Sequence, residues 1–193
     1  MQEQKTRLTS QDWIQAAFRA LCAGGPQAIK AEAIARELKV SKGSFYWHFK
    51  DVPALKLQML EHWQRKATEA IIQLVDNSGE NSAGRLYLLV EVATNTDTYA
   101  YGGVNVEAAI RDWGRYDEHA FEAVKTVDEK RLNYVTELFS NCGIPEPQCR
   151  SFSRLLYGSL IGLEALSGRT KADRQHDLLQ LLDLLLGGNK VAR

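Results

Sequence analysis

The chain has 193 residues, 45% of them hydrophobic, which is enough apolar side chain to fill a core and excludes disorder as the main state. Its 24 Lys and Arg balance its 24 Asp and Glu, so overall charge hints at no partner. The balance hides an asymmetry: residues 1–50 carry eight basic against four acidic side chains, a net +4, and the remainder sixteen against twenty, a net −4.

The start, Met1-Gln2-Glu3-Gln4-Lys5, is polar and leads into no apolar run of signal-peptide length. No stretch approaches the roughly 20 apolar residues of a membrane span. A soluble, cytoplasmic protein with no membrane partner is expected. Cys22, Cys142 and Cys149 form an odd count without metal or disulfide spacing, which fits a reducing compartment and small, buried or half-buried roles.

Apolar residues recur at helical spacing and no sustained period-2 alternation occurs, so the expected fold class is all-α. The first helix starts after Thr9 or Ser10 as N-cap, with Asp12 in its first turn. It runs to about Cys22, ahead of Gly24-Gly25-Pro26, with Ile14, Ala17, Phe18 and Leu21 inward. A short second helix spans about 30–38, with Ile34, Ala35 and Leu38 inward, and a third spans about 42–49 with Ser41 as N-cap. Only Lys39-Val40-Ser41 separates them, the sequence form of a helix-turn-helix. Asp51 caps a long fourth helix reaching about Asp76, with the stripe Leu55, Met59, Trp63, Ala67, Ala70, Ile71, Leu74.

Residues 77–82 are a compositional break. Further helices are expected at about 83–95, 104–114, 117–141, 147–167 and 171–187. The domain reading is a helix-turn-helix domain over 1–50, helix four (51–76) as connector, and a second helical domain within 51–193.

On the third helix Phe45 and Phe49 lie i, i+4 and face inward, which leaves Lys42, Gly43, Ser44, Tyr46, Trp47 and His48 wholly or partly outward. An outward Tyr-Trp-His row on a short helix calls for a partner. The second helix of a helix-turn-helix offers its N-terminal end to base edges in the major groove while neighbouring donors hold phosphates. Lys42, Gly43 and Ser44 suit base edges. Tyr46, Trp47, His48 and Lys50 suit phosphates, and Lys30 adds a charge at the start of helix two. Ser41 completes the set as the cap of the reading helix.

The stretch Thr9 to Leu60 resembles the DNA-binding domain of TetR-family regulators, above all in Val40-Ser41-Lys42-Gly43-Ser44-Phe45-Tyr46-Trp47-His48-Phe49-Lys50-Asp51 followed by Ala54-Leu55. The resemblance covers about the first quarter of the chain. It implies an all-helical, homodimeric repressor with a variable C-terminal ligand pocket, released from its operator when ligand binds. Carried over by matching position, it assigns DNA contacts to Lys42, Gly43, Ser44, Tyr46, His48 and Lys50. One departure is Lys39, where the family usually has Gly. A non-Gly residue in a left-handed turn costs roughly 1 kcal/mol, so the turn is expected to be strained or differently shaped.

A mostly apolar or aromatic effector is expected to meet Trp63, Tyr87, Tyr101, Trp113, His119 and Tyr134, with Tyr99 and Tyr116 nearby in sequence. Core filling is the competing role for each. The segments Glu107 to Asp117 and Val127 to Arg131 also resemble stretches of one branch of TetR-family ligand domains. There Arg111, Asp112, Arg115 and Asp128 are read as mutual salt bridges.

A two-fold helical interface is expected at Leu155, Gly158, Ser159 and Gly162, where small residues permit close backbone approach, together with Leu178, Leu182 and Leu185. His48, His62, His119 and His176 are scattered, and neither a metal spacing nor a nucleophile or phosphate-loop motif is present. The reading is therefore a non-enzymatic regulator without metal or cofactor, whose partners are double-stranded operator DNA, a small effector and a second copy. Two other readings stay compatible with the sequence. One is an effector-independent DNA-binding regulator in which 83–141 is solid core, and the other a helical protein-interaction module using the Tyr46-Trp47-His48 face.

Overall fold

The computed structural model describes residues 8–95, 105–166, 168 and 170–187, and among them regular structure is helical with no strand. The elements are α1 (Ser10–Gly24), α2 (Ala31–Glu37), a 3-10 helix (Lys42–Trp47) and α3 (Val52–Gln64), then a π-helical turn (Arg65–Glu69) and α4 (Ala70–Asp76). A short 3-10 turn, Pro26–Ala28, links α1 to α2. Next come α5 (Ser82–Asn95), α6 (Val106–Trp113), α7 (Glu118–Asn141), α8 (Glu146–Ala165) and α9 (Lys171–Gly187).

Two compact units divide the chain, Met1–Trp63 with Asp97–Val124 and Gln64–Thr96 with Lys125–Arg193. This division differs from a boundary at residue 50. The first turns of α3 belong with the N-terminal helices because Leu55 and Met59 are fully buried there, and α6 joins them by packing on α1.

In the first unit α1 begins in a capping box. The Thr9 hydroxyl accepts from Asp12 N–H, and the Asp12 carboxylate accepts from Thr9 N–H at 2.7 Å, which holds that carboxyl below the usual carboxylate range. The expected stripe Ile14, Ala17, Phe18 and Leu21 is buried, joined by Trp13. Gly25, at φ 73°, ends the helix. The Asp51 carboxylate caps α3 by accepting from Ala54 N–H at 2.8 Å.

α2 ends in a Schellman motif: Val40 N–H donates to Ala35 C=O at 2.9 Å and Lys39 N–H to Arg36 C=O at 3.2 Å. The motif requires a left-handed residue between them, and Lys39 supplies it at φ 56°. α7 closes in the same way, with Ile144 N–H donating to Phe139 C=O and Gly143 N–H to Ser140 C=O, but there the left-handed residue is glycine at φ 81°. The strain expected at Lys39 from the sequence is therefore real backbone geometry.

In the second unit α5 packs mainly on α9, and α8 and α4 add to the same layer. Its core joins Leu86 and Val90 of α5, Leu138 and Phe139 of α7, and Leu156 of α8 to Leu178, Leu182 and Leu185 of α9. These three leucines, expected to face a second copy, are instead 0–8% exposed within their own chain. They recur at i, i+4, i+7 and form the single inward seam that an α9 packed on α5 and α8 needs. The two thiols of this unit, Cys142 and Cys149, are pushed up by burial, as is Cys22 of the first unit.

The expected unbroken helix over 51–76 is interrupted by the π turn. One added residue per turn rotates the inward face, so Thr68 and Val75 are buried (1% and 0%), whereas Leu74, placed inward by the sequence stripe, is 51% exposed. Arg131 braces the turn: its guanidinium donates to Thr68 Oγ1 at 3.1 Å, to Ala67 C=O at 3.0 Å and to the Tyr157 hydroxyl at 3.0 Å. Tyr157 in turn donates to the Asp128 carboxylate at 2.7 Å, and Lys130 pairs with Glu69 at 2.6 Å. Asp128 is thus part of a hydrogen-bond network with Tyr157. Arg111 pairs with Glu107 at 2.9 Å and Arg115 with Asp112 at 3.7 Å, one turn apart on α6 and its C-terminal end.

Replacing Lys39 by glycine is expected to raise stability by roughly 0.5–1 kcal/mol, read as a higher urea midpoint with unchanged m-value. A lower midpoint would contradict the left-handed strain assigned to this position.

Candidate nucleic-acid interface

The turn after α2 delivers the chain to Ser41, whose extended backbone (φ −71°, ψ 150°) starts the 3-10 helix. Ser41 occupies the N-cap position expected of it but makes no side-chain capping bond. Its C=O accepts from Ser44 N–H at 3.0 Å instead.

The third helix is 3-10 rather than α, a correction that alters its faces. With three residues per turn, side chains three apart stack in ridges. Phe45 points inward and is 0% exposed against Trp13 (5.5 Å, edge on) and Phe49 (5.5 Å), whereas Lys42, one turn earlier on the same ridge, is exposed at the helix start. Two outward ridges remain, Gly43 with Tyr46 and Ser44 with Trp47. Tyr46 is 57% and Trp47 85% exposed. Phe49 lies beyond the helix and is buried as expected, its N–H donating to Phe45 C=O at 3.0 Å.

Of the other expected contacts, Lys30, Ser41, Lys42, Gly43 and Lys50 are exposed, and Ser44 and His48 are half-buried. A Cβ on Gly43 would meet only Ser41 Oγ at 3.7 Å. The protein itself therefore has room for a side chain there, and what glycine adds is closer approach from outside. His48 Nδ1 lies 3.3 Å from Ser10 Oγ of α1, which leaves the other ring nitrogen for a partner. Lys30 is the N-cap residue of α2 and makes no capping bond.

Lys42 is held. Its Nζ is hydrogen-bonded and ion-paired to Glu32 Oε1 in the first turn of α2. The pair raises the lysine pKa above its ordinary value and lowers that of the carboxyl. Sequence reasoning missed Glu32. Ten residues separate it from Lys42, a spacing with no local signature, and only the turn geometry brings the two helix starts together.

The side chains expected to line an effector pocket have varied surroundings. In the first unit Trp63 and Trp113 are buried core residues (4% and 3%), with Lys56 Nζ 5.4 Å from the Trp113 ring centroid, while His119 and Tyr116 are exposed. In the second unit the Tyr87 hydroxyl donates to Asp183 at 2.6 Å and the Tyr134 hydroxyl to Asp76 at 2.9 Å. Burial and the Asp76 bond raise the Tyr134 pKa. Tyr99 and Tyr101 lie outside the described residues. A groove of about 480 Å³ between α7 and α8, lined by Thr136, Glu137, Arg150, Ser153 and Arg154 among others, contains none of these aromatics. Among the described residues no group of His, Cys, Asp or Glu is placed to hold a metal ion, and no helix is long and apolar enough to cross a membrane.

Residues 14–55, from the inward stripe of α1 to the first turn of α3, match the family model described as bacterial regulatory proteins, tetR family. No curated protein is significantly similar to the chain in sequence. Solved structures are similar over nearly the whole length. A transcriptional regulator from Rhodococcus sp. Rha1 has a TM-score of 0.76 at 17% identity, covering 94% of this chain and 97% of its own. A TetR-family transcriptional regulator from Streptomyces coelicolor has a TM-score of 0.70 at 18% identity, covering 92% and 88%. A protein from Saccharomonospora viridis, described as a transcriptional regulator in complex with choline, has a TM-score of 0.74 at 13% identity, covering 90% and 95%. Residues 14–55 are thus similar to the N-terminal domain of bacterial regulatory proteins of the tetR family, and the described chain has the all-helical fold seen in solved TetR-family transcriptional regulators.

Proposed function

We propose that this protein is a sequence-specific DNA-binding transcriptional regulator that acts as a homodimeric repressor on a palindromic operator and is released by a small organic effector. The observation that carries the reading is the outward face of the 3-10 helix. A buried Phe45 fixes a short helix whose solvent side holds Tyr46, Trp47, Gly43 and Lys42, with Lys50 just beyond. Large exposed aromatics at the C-terminal end of the second helix of a helix-turn-helix, with a lysine and a glycine at its N-terminal end, suit a major groove flanked by phosphates. In the DNA complex Lys42, Gly43 and Ser44 read base edges. Tyr46, Trp47, His48, Lys50 and Lys30 hold the backbone.

The dimer reading rests on α8. Leu155 (53%), Gly158 and Gly162 are exposed on it and Leu166 (55%) just past its end, and Ser159 is half-buried between the glycines. A Cβ added to either glycine would meet nothing within 4 Å of its own chain. A helix-interior glycine costs about 0.5–1 kcal/mol relative to alanine. Two of them on an apolar face with intrachain room to spare favour close approach by a second copy. On α9 the leucine that suits this interface is Leu184, 73% exposed, in place of the three buried in the chain. A symmetric pair sets two reading helices about 34–36 Å apart, for half-sites one turn apart.

The effector reading is supported by the solved fold that carries choline in the Saccharomonospora protein. Effector binding and operator binding then oppose each other through two conformations of the long helix that begins at α3.

Two outcomes are expected. Tyr46→Ala and Lys50→Ala each weaken binding to a duplex selected from a random library by roughly tenfold, with thermal unfolding unchanged, and Lys50→Ala lowers the log–log salt slope by about 1. Fluorescence anisotropy measures both, and unchanged affinity in both variants would remove these residues from the interface. Gly162→Arg is expected to retain the helical far-UV spectrum while sedimentation reports one copy where the parent reports two; a Gly162→Arg dimer, or a monomeric parent, would refute the α8 interface.

A further inference from the structure

Lys42, the first residue of the 3-10 helix, stands where a base-reading side chain is needed, yet its charge is already engaged by Glu32. Both side chains are about half exposed (50% and 56%), so the pair lies on the outer surface and a nucleic acid can reach it. Lys30 lies near enough to Glu32 to favour its charged form, and Tyr46 lies beside Lys42. Glu32 is thus a negative charge set among the basic groups of the face that meets DNA, where phosphates repel it.

An ammonium group has three donors. One is taken by the carboxylate, which cancels the net charge of the pair and anchors the side chain while two N–H donors remain. A neutralised lysine attracts the phosphate backbone weakly, since that attraction is non-directional and works through net charge. It still donates to a base-edge acceptor such as guanine O6 or N7, a directional contact. Resting on the DNA-binding reading above, we propose that Glu32 is a specificity-determining residue: by holding Lys42 it suppresses sequence-independent phosphate attraction and leaves Lys42 as an oriented donor for the operator's bases. Glu32 needs no contact with DNA to do this. It acts through Lys42.

The test uses the full chain, as parent, Glu32→Gln, Lys42→Gln and the double variant, titrated against two duplexes over a series of salt concentrations. One duplex is selected from a random library and the other is of mixed sequence, each about three helical turns long. Glu32→Gln is expected to tighten binding to the mixed-sequence duplex by about threefold to tenfold and to steepen its salt slope by about 1. Binding to the selected duplex is expected to change by less than about twofold, so the specificity ratio falls. In the Lys42→Gln background only the repulsion by Glu32 itself remains, so the Glu32→Gln effect is expected to shrink to less than about twofold. Unchanged or weaker mixed-sequence binding by Glu32→Gln overturns the proposal, as does equal tightening in the Lys42→Gln background, which would make Glu32 a bulk charge only. A parent that binds neither duplex would overturn the DNA-binding reading itself, whereas a parent that binds with an unresponsive Glu32→Gln overturns only the role of Glu32.

Discussion

The burial of Phe45 is the constraint on which the functional surface depends. Its ring has no exposure, meets Trp13 edge on from α1 and lies against Phe49. Losing a buried Phe of this kind costs about 3–5 kcal/mol, a large part of the stability of a small unit. A helix of six residues has little stability of its own. Its position therefore comes from this one inward ring, and the outward position of Tyr46 and Trp47 follows because in a 3-10 helix the inward residue leaves only two other ridges. Rigid seating of this short helix suits the recognition proposed for it, since side chains that meet base edges must be held by the scaffold beneath them.

Electrostatics divides the labour on that surface. The net charge is zero, so attraction to a polyanion must come from local arrangement: the basic surplus of residues 1–50, and within it Lys30, Lys42 and Lys50 on the exposed side. Lys50 is exposed and lies beyond the helix. Lys42 is matched to a carboxylate. A face on which one of three lysines is tethered has less indiscriminate pull than its composition suggests, which suits the proposed regulator, whose sites would be few among very many.

Much of this architecture was legible in the sequence because it depends on local chemistry. The Thr9 N-cap with Asp12 in the first turn, the stop at Gly24-Gly25-Pro26, the Asp51 cap and the i, i+3, i+4 stripe of α1 are short-range signals, and the structure has them where they were expected. So does Lys39, whose left-handed φ of 56° follows from a Schellman closure that admits no other hand. What was not legible depends on tertiary partners. The π turn at Arg65–Glu69 has no sequence mark of its own; it is braced by Arg131 from another helix, and its extra residue moved Val75 inward and Leu74 outward. The α9 leucines were misassigned because an apolar helix reads the same from sequence whether its cover is α5 and α8 or a second copy. Glu32 escaped because an ion pair across a helix-turn-helix is invisible until the turn is closed.

Amide hydrogen exchange of the protein, free and with a selected duplex, is the most direct test that the seated 3-10 helix is the surface that meets DNA. Slower exchange is predicted at the amides of residues 30–32 and 41–50, with α9 unchanged. Protection confined to other elements, or none within 41–50 when the duplex is saturating, would contradict the account.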